Sequence, residues 1–241
     1  MMEMIKKNWG KIVLTSAVVL AASLAGGYGW VMPVVMLAAH LLCLLSAFGD
    51  KRIHTQSRKA LDILFWIMPV GSVLLAVISR ISESGADDDL ASLIMDCGLG
   101  LLFLIMGNYM PKFRQNGVIG IRVKWTLENE ENWAMTHRFA GKCLVIAGCC
   151  CILFAFLPLG MAGDLLCMAA ILIAVLIPCI YSWRYYKRQL QSGKVEKRQV
   201  SRKALIRGSI FAAAIIVFSV WVLFTGSMHV VYDKESFTID T

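Results

Sequence analysis

The residues of this chain best suited to chemistry lie between 107 and 142, a polar, aromatic and basic stretch set between long apolar runs. Its notable side chains are Asn108, Tyr109, Pro111, Lys112, Gly120, Arg122, Trp125, Thr126, Trp133, His137 and Arg138. Lys and Arg bring fixed positive charge, Asn and Thr bring hydrogen bonds, and each Trp brings a flat apolar surface with one donor. That set suits recognition of a partner or a headgroup and supplies no nucleophile. G-x-S-x-G, P-loop, HExxH and Rossmann fingerprints are all missing from the sequence, so the chain reads as a binding protein, with no enzymatic activity and no cofactor. The alternative is an interfacial element that Trp and Arg merely anchor, and residue types alone leave both readings open.

Two ionisable residues fall inside apolar runs. His40 lies near the middle of the second run and Asp96 in the outer half of the fourth, and if the two were coupled they would suit a proton-linked small-molecule transporter or exporter. A neutral histidine hydrogen-bonded to a neighbouring helix is the plainer reading. The eight cysteines all fall within or at the ends of apolar runs, where thiols pack as small hydrophobes. Cys149, Cys150 and Cys151 point about 100° apart on a helix and cannot converge on one metal. Neither a metal site nor a structural disulfide is expected.

These residues need elements to hold them, and composition says in which solvent. Of 241 residues, 58% are hydrophobic and 17% charged, and the mean hydropathy is +0.67. A soluble domain of this size could not bury so much apolar surface, so a bilayer must. Disordered and disulfide-stapled secreted classes are excluded. From Ile12 to Phe48 no residue is formally charged, and as one helix the run would reach roughly 55 Å, nearly twice the hydrocarbon thickness. Gly26, Gly27 and Gly29 permit a turn, so the run predicts a hairpin of two spans. Further spans are predicted at about Leu61–Ile81, Leu90–Met106, Ala140–Leu157, Leu165–Trp183 and Ser209–Thr225, giving an all-α bundle of about seven transmembrane helices. The first run also resembles a signal peptide; with a second span directly behind it, an uncleaved anchor is expected. The tail from Gly226 to Thr241 is too short to form a domain.

The formal net charge of +8 follows this pattern. All basic residues except Arg80 and Lys234 fall at the N-terminus or in the segments 49–60, 107–142 and 184–208. The positive-inside rule then places the N-terminus and the 107–142 segment in the cytoplasm and the C-terminus outside, in a multi-pass protein of the plasma membrane. The basic excess therefore records orientation and attraction to anionic lipid, with no direct nucleic-acid binding. Three regions follow: a four-helix membrane region at 1–106, the motif loop with two spans at 107–183, and a basic linker, last span and tail at 184–241.

Within 107–142, Pro111 should end the fourth span, Gly117 and Gly120 should allow a turn, and Thr126 should cap a short amphipathic helix from Glu128 to Arg138 that enters the fifth span. Trp133 and Met135 would then touch the interface, with His137 and Arg138 at headgroup level. The ordered blocks GNYMPK, IGIR, W-T-L, ENW and THRF-x-G between 107 and 141 resemble the signature of the SdpI family, membrane immunity proteins of the bacterial sporulation-delaying-protein toxin system. The likeness extends more loosely to Gln56–Lys59 and Ile63–Pro69. It implies protection against a peptide or protein toxin without catalysis, and signal transduction by holding a cytoplasmic transcriptional repressor at the membrane. It also implies that the motif residues named above form the working surface. This chain has Val123-Lys124 where family members carry Thr-Pro, and only Gly26–Gly29 where many have a longer external segment; if that segment contacts toxin, the resemblance implies a different ligand here.

Overall fold

The computed structural model describes residues 2–27, 29–85 and 88–194, and among them every regular element is helical. The α-helices are α1 (Met2–Lys7), α2 (Trp9–Ala25), α3 (Val31–Phe48), α4 (Arg58–Glu83), α5 (Asp88–Tyr109), α6 (Lys124–Glu128), α7 (Glu130–Ala155) and α8 (Met161–Gln191). Five stretches are long and apolar enough to cross a bilayer: Val31–Phe48, Arg58–Glu83, Leu90–Lys112, Glu130–Ala155 and Ala162–Gln191. The described residues are all-helical, and the chain is a multi-pass membrane protein. Helix α2 is apolar but shorter, at 17 residues. The expected last span, the tail, and Lys197 to Arg207 of the basic linker lie outside the described residues.

The long uncharged run does fold as a hairpin. Gly27 and Gly29 take φ of +75° and +68°, left-handed values that a side chain would resist, and α3 starts two residues later. The last carbonyls of α2 would lack partners in lipid. They find them on α4, where Ser79 Oγ donates to Gly26 O at 2.7 Å and Arg80 Nε donates to Ala25 O.

Helices α2, α3 and α4 form one trio, α5, α7 and α8 another, and α4 packs on α5. The second trio is organised by glycine. A Cβ at Gly107 would lie 2.7 Å from Gly141 O, and one at Gly141 would lie 2.6 Å from Gly107 O. Seven residues along each helix the arrangement repeats: a Cβ at Gly100 would lie 2.8 Å from Gly148 O, and one at Gly148 would lie 2.6 Å from Gly100 O. Between helices in lipid no hydrophobic effect drives association, so close backbone approach supplies the attraction through dispersion and Cα–H···O contacts. Helix α7 meets α8 through polar atoms: Asn132 Nδ2 donates to Ser182 O at 3.1 Å, while Asn132 Oδ1 accepts from Ser182 Oγ at 2.8 Å and from Thr136 Oγ1 at 2.9 Å. Asn132, Thr136 and Ser182 are all fully buried, where an unpaired polar atom would be costly.

The expectation of no structural disulfide is corrected. Cys151 of α7 and Cys167 of α8 are joined by one. The two helices run back to back across the short turn at 156–160, which brings these Cα atoms to 4.7 Å, inside the range a disulfide spans. Reading each thiol by its own helix misses an approach that depends on the neighbour. Cys43, Cys97, Cys143, Cys149, Cys150 and Cys179 remain free.

Two outcomes check this packing. Gly141→Val should lower the thermal unfolding midpoint in detergent, costing about 1–3 kcal/mol, whereas Gly71→Ala, where a Cβ meets nothing within 4 Å, should leave it unchanged or slightly raised. The denatured, unreduced chain should take up six maleimides by mass spectrometry and eight after reduction; eight without reductant would remove the disulfide.

Candidate functional site

The loop between α5 and α7 is built on Pro111. Helix α5 ends at Tyr109 and a single 3-10 turn, Met110–Lys112, carries the proline, which meets the position a Cβ would take on Gly141 at 3.1 Å. From Phe113 onward the backbone has no helical partners and is held by side chains. Asn116, fully buried, accepts the N–H groups of Val118 and Ile119 at 2.8 and 2.7 Å and donates to Arg114 O and Ile119 O. This is an asparagine turning the chain upon itself ahead of a glycine. The turn after α3 grips the same stretch. Gln56 Nε2 donates to Arg114 O at 2.8 Å while its Oε1 accepts Arg114 N–H at 3.0 Å, and Asp50 accepts Gly117 N–H. Arg52 donates to Gln115 Oε1 at 2.7 Å.

Helix α7 grips it from the other side. Trp133 and His137, one turn apart, are buried and stack with ring centroids at 3.9 Å. Trp133 Nε1 donates to Phe113 O at 2.8 Å. His137 Nε2 is 3.1 Å from Ile121 N, and a backbone N–H can only donate, so Nε2 accepts. Its Nδ1, 2.8 Å from Trp133 O, must carry the proton, since a carbonyl can only accept. The ring is therefore neutral, in the Nδ1–H tautomer. Gly120 is what allows this approach: its φ is +108°, and a Cβ there would fall on His137 Nε2.

Arg122 closes the loop by donating to Gly117 O at 2.6 Å. Burial draws its pKa below the ordinary guanidinium range, opposed by Cys43 and the Asp50 carboxylate, and an arginine still stays charged. Thr126 is buried in α6, where its hydroxyl is within 2.8 Å of both Ile121 O and Val123 O and its own carbonyl accepts from Gln115 Nε2 at 2.7 Å. Beside it the side chain of Glu128 is almost fully enclosed, accepting from Tyr186 OH at 2.8 Å with Lys124 at 3.9 Å.

The expected amphipathic helix from Glu128 to Arg138 is corrected in three ways. The chain breaks at Asn129, whose side chain caps α7 by accepting Glu131 N–H and Asn132 N–H, so α6 and α7 are separate and Thr126 is not the cap. Asn129 also donates to Gln189 Oε1 at 2.6 Å, and Glu131 accepts from Tyr185 OH and Gln189 Nε2, which fixes the break against α8. Trp133 does not touch the interface, being 1% exposed, and His137, equally enclosed, does not sit among headgroups. Both face the loop that folds back upon them, a contact no local periodicity reveals.

The motif residues thus divide. Thr126, Trp133 and His137 are interior; Tyr109, Gly120, Arg122 and Trp125 are half-buried; Asn108, Pro111, Lys112 and Arg138 are exposed. Sequence reasoning gave no role to Asp50, Asn116, Asn129, Ser182 and Gln189, and met Gln56 and Asn132 only as members of the matched blocks; among these the Asn116-Gly117 pair carried a local signal, that of a tight turn. His40 and Asp96 are not brought together. His40, fully buried, meets Thr15 Oγ1 of α2 at 3.1 Å, and the charged neighbour of Asp96 is Asp164 on α8. Among the described residues no group of three or more His, Cys, Asp or Glu could hold a metal ion.

Comparison with known proteins bears out the resemblance read from the motif blocks. Residues 112–182 match the SdpI/YfhL protein family. The chain is 29% identical over 163 residues to the immunity protein SdpI of Bacillus subtilis (strain 168), covering 66% of this chain and 74% of that protein. No solved structure matches.

The clamp generates a direct test. His137→Phe, which keeps a ring but offers Ile121 N–H no acceptor, should cost about 1–3 kcal/mol, and Gly120→Ala should cost at least as much through φ and the contact with the ring. Both should speed tryptic cleavage at Arg114, Arg122 and Lys124, followed by mass spectrometry, relative to the wild-type chain.

Proposed function

With an SdpI/YfhL segment at residues 112–182 as the premise, we propose that this chain is a membrane immunity protein that protects the cell making it from a secreted peptide or protein toxin. One observation carries the reading: the likeness to a protein named as an immunity protein runs through 163 residues, and so well beyond the motif loop itself. Protection works by binding. The loop residues are spent on holding one another, Trp133 on Phe113, His137 on Ile121 and Arg122 on Gly117, which suits a rigid recognition surface and leaves no group poised as a nucleophile.

In this proposal seven spans cross the plasma membrane, with the N-terminus and the loop in the cytoplasm and the C-terminus outside. Region 1–106 supports the loop, 107–183 carries the motif, and 184–241 supplies the basic linker, the last span and the tail. The exposed motif residues Asn108, Lys112 and Arg138 belong to the cytoplasmic end of the bundle, and the basic linker on that side holds a transcriptional repressor and couples protection to signalling. The toxin is met within the membrane or from outside it.

Expression in a toxin-sensitive host without an immunity gene should permit growth at doses of a sporulation-delaying-class toxin that stop the empty-vector strain. Arg122→Ala should abolish that protection at unchanged membrane abundance. Growth no better than the vector strain would refute the immunity reading, and full protection by Arg122→Ala would remove the loop from it.

A further inference from the structure

At the loop end of the second trio the structure gathers positive charge that no acid among the described residues answers. Lys112 follows Pro111, and Lys142 follows Gly141, and these two neighbours touch: the Cβ position of Gly141 lies 3.1 Å from Pro111 Cδ. Arg138 is one turn before Lys142 on α7, so all three bases border one seam between the end of α5 and α7. All three are exposed. Lys112 has only the Tyr109 ring beneath it, at 4.4 Å from its centroid, and neither Arg138 nor Lys142 has an ion-pair partner among the described residues. The nearest acid along this stripe of α7, Glu131, is two turns from Arg138 and already bonded to Tyr185 and Gln189.

Depth gives the cluster its ligand. The uncharged stretch of α7 begins at Cys143, directly after Lys142, and the one that runs through α5 and into the following turn ends at Pro111, directly before Lys112. The two lysines therefore mark one level, the boundary between hydrocarbon and water, with Arg138 a turn above it. At that level the abundant anion is the phosphodiester of a lipid headgroup. Arginine can grip a phosphate with two parallel N–H groups, and the lysines supply point charges on either side.

We propose that Lys112, Arg138 and Lys142 form a binding site for the phosphate of an anionic phospholipid headgroup, with the acyl chains lying along the α5–α7 seam. The lipid would reinforce the junction that the glycines create, at the point where α5 gives way to the loop.

The test uses the full chain in detergent, equilibrated with an equal mixture of phosphatidylglycerol and phosphatidylcholine and examined by native mass spectrometry. Wild-type protein should retain phosphatidylglycerol in preference to phosphatidylcholine. The triple variant K112Q/R138Q/K142Q should lose that preference by about tenfold or more, since each basic residue near the surface is worth roughly fivefold in attraction to anionic lipid. The variant K6Q/K7Q, which removes two exposed lysines of α1, should keep it. An unchanged preference in the triple variant would overturn the site, as would an equal loss in K6Q/K7Q, which would indicate diffuse attraction. Retention abolished by inorganic phosphate would overturn the headgroup as ligand and leave a free-phosphate site. Because the three side chains are exposed, the triple variant should keep the wild-type unfolding midpoint in detergent without lipid, which separates loss of the site from loss of the fold; R138K alone, which keeps charge but loses the planar fork, should show an intermediate preference.

Discussion

Two helix backbones touch along the α5–α7 seam, and much of what surrounds it is placed by that contact. Glycines at 100, 107, 141 and 148 bring main chain against main chain, a distance at which any β-carbon collides with a carbonyl oxygen. In water such a junction would be weak, because glycine buries little apolar area. In lipid the comparison changes, since tails solvate a leucine as well as another helix does, and close packing of peptide groups becomes the attraction that remains. The seam ends at Pro111, which rests on Gly141, so the position where α5 stops is fixed to the ångström scale. The loop starts from a rigid point and needs little further ordering to reach Trp133 and His137.

The second constraint is that polar backbone must be satisfied wherever water is scarce. Residues 113–123 form irregular chain against the end of a helical bundle, and irregular chain has N–H and C=O groups to spare. Here those groups are met by side chains: Asn116 from within, Gln56 and Asp50 from the turn after α3, Trp133, His137 and Thr126 from the helices beside it. The same logic runs between α7 and α8, where Asn132, Thr136 and Ser182 satisfy each other. Motif residues that look suited to binding are in large part the means by which the loop keeps one shape, which leaves Asn108, Lys112 and Arg138 to face outward.

The helical class and the long spans were legible because a bilayer imposes a length and a composition that a single sequence displays. The hairpin at Gly26–Gly29 and the stop at Pro111 were legible for a similar reason, since each rests on the backbone preference of one residue type. What escaped reading depended on partners distant in sequence. Trp133 has the profile of an interfacial aromatic until Phe113 lies against it, and Glu128–Arg138 has the profile of a continuous helix until Asn129 chooses to cap α7 and bond Gln189. The glycines were visible, yet nothing in their spacing says which pair will meet. Cys151 and Cys167 are sixteen residues apart, and their approach belongs to the hairpin as a whole. Within the site, the motif blocks drew attention to the right segment, but the roles of Gln56 and Asp50 could not be seen from inside it.

The grip of Gln56 on Arg114 carries a meaning for how such a chain can be rearranged. Gln56 completes both main-chain groups of Arg114, in the manner of a neighbouring β-strand, and Asp50 completes that of Gly117. A gene fragment encoding only the motif loop and its two following helices would keep the bond from Asn116 to Arg114 O but leave two main-chain N–H groups, those of Arg114 and Gly117, open. Any shuffled or shortened relative must restore acceptors for them, or let water into the loop. The first half of the chain is in this sense a template for the second, and the two are bound to change together.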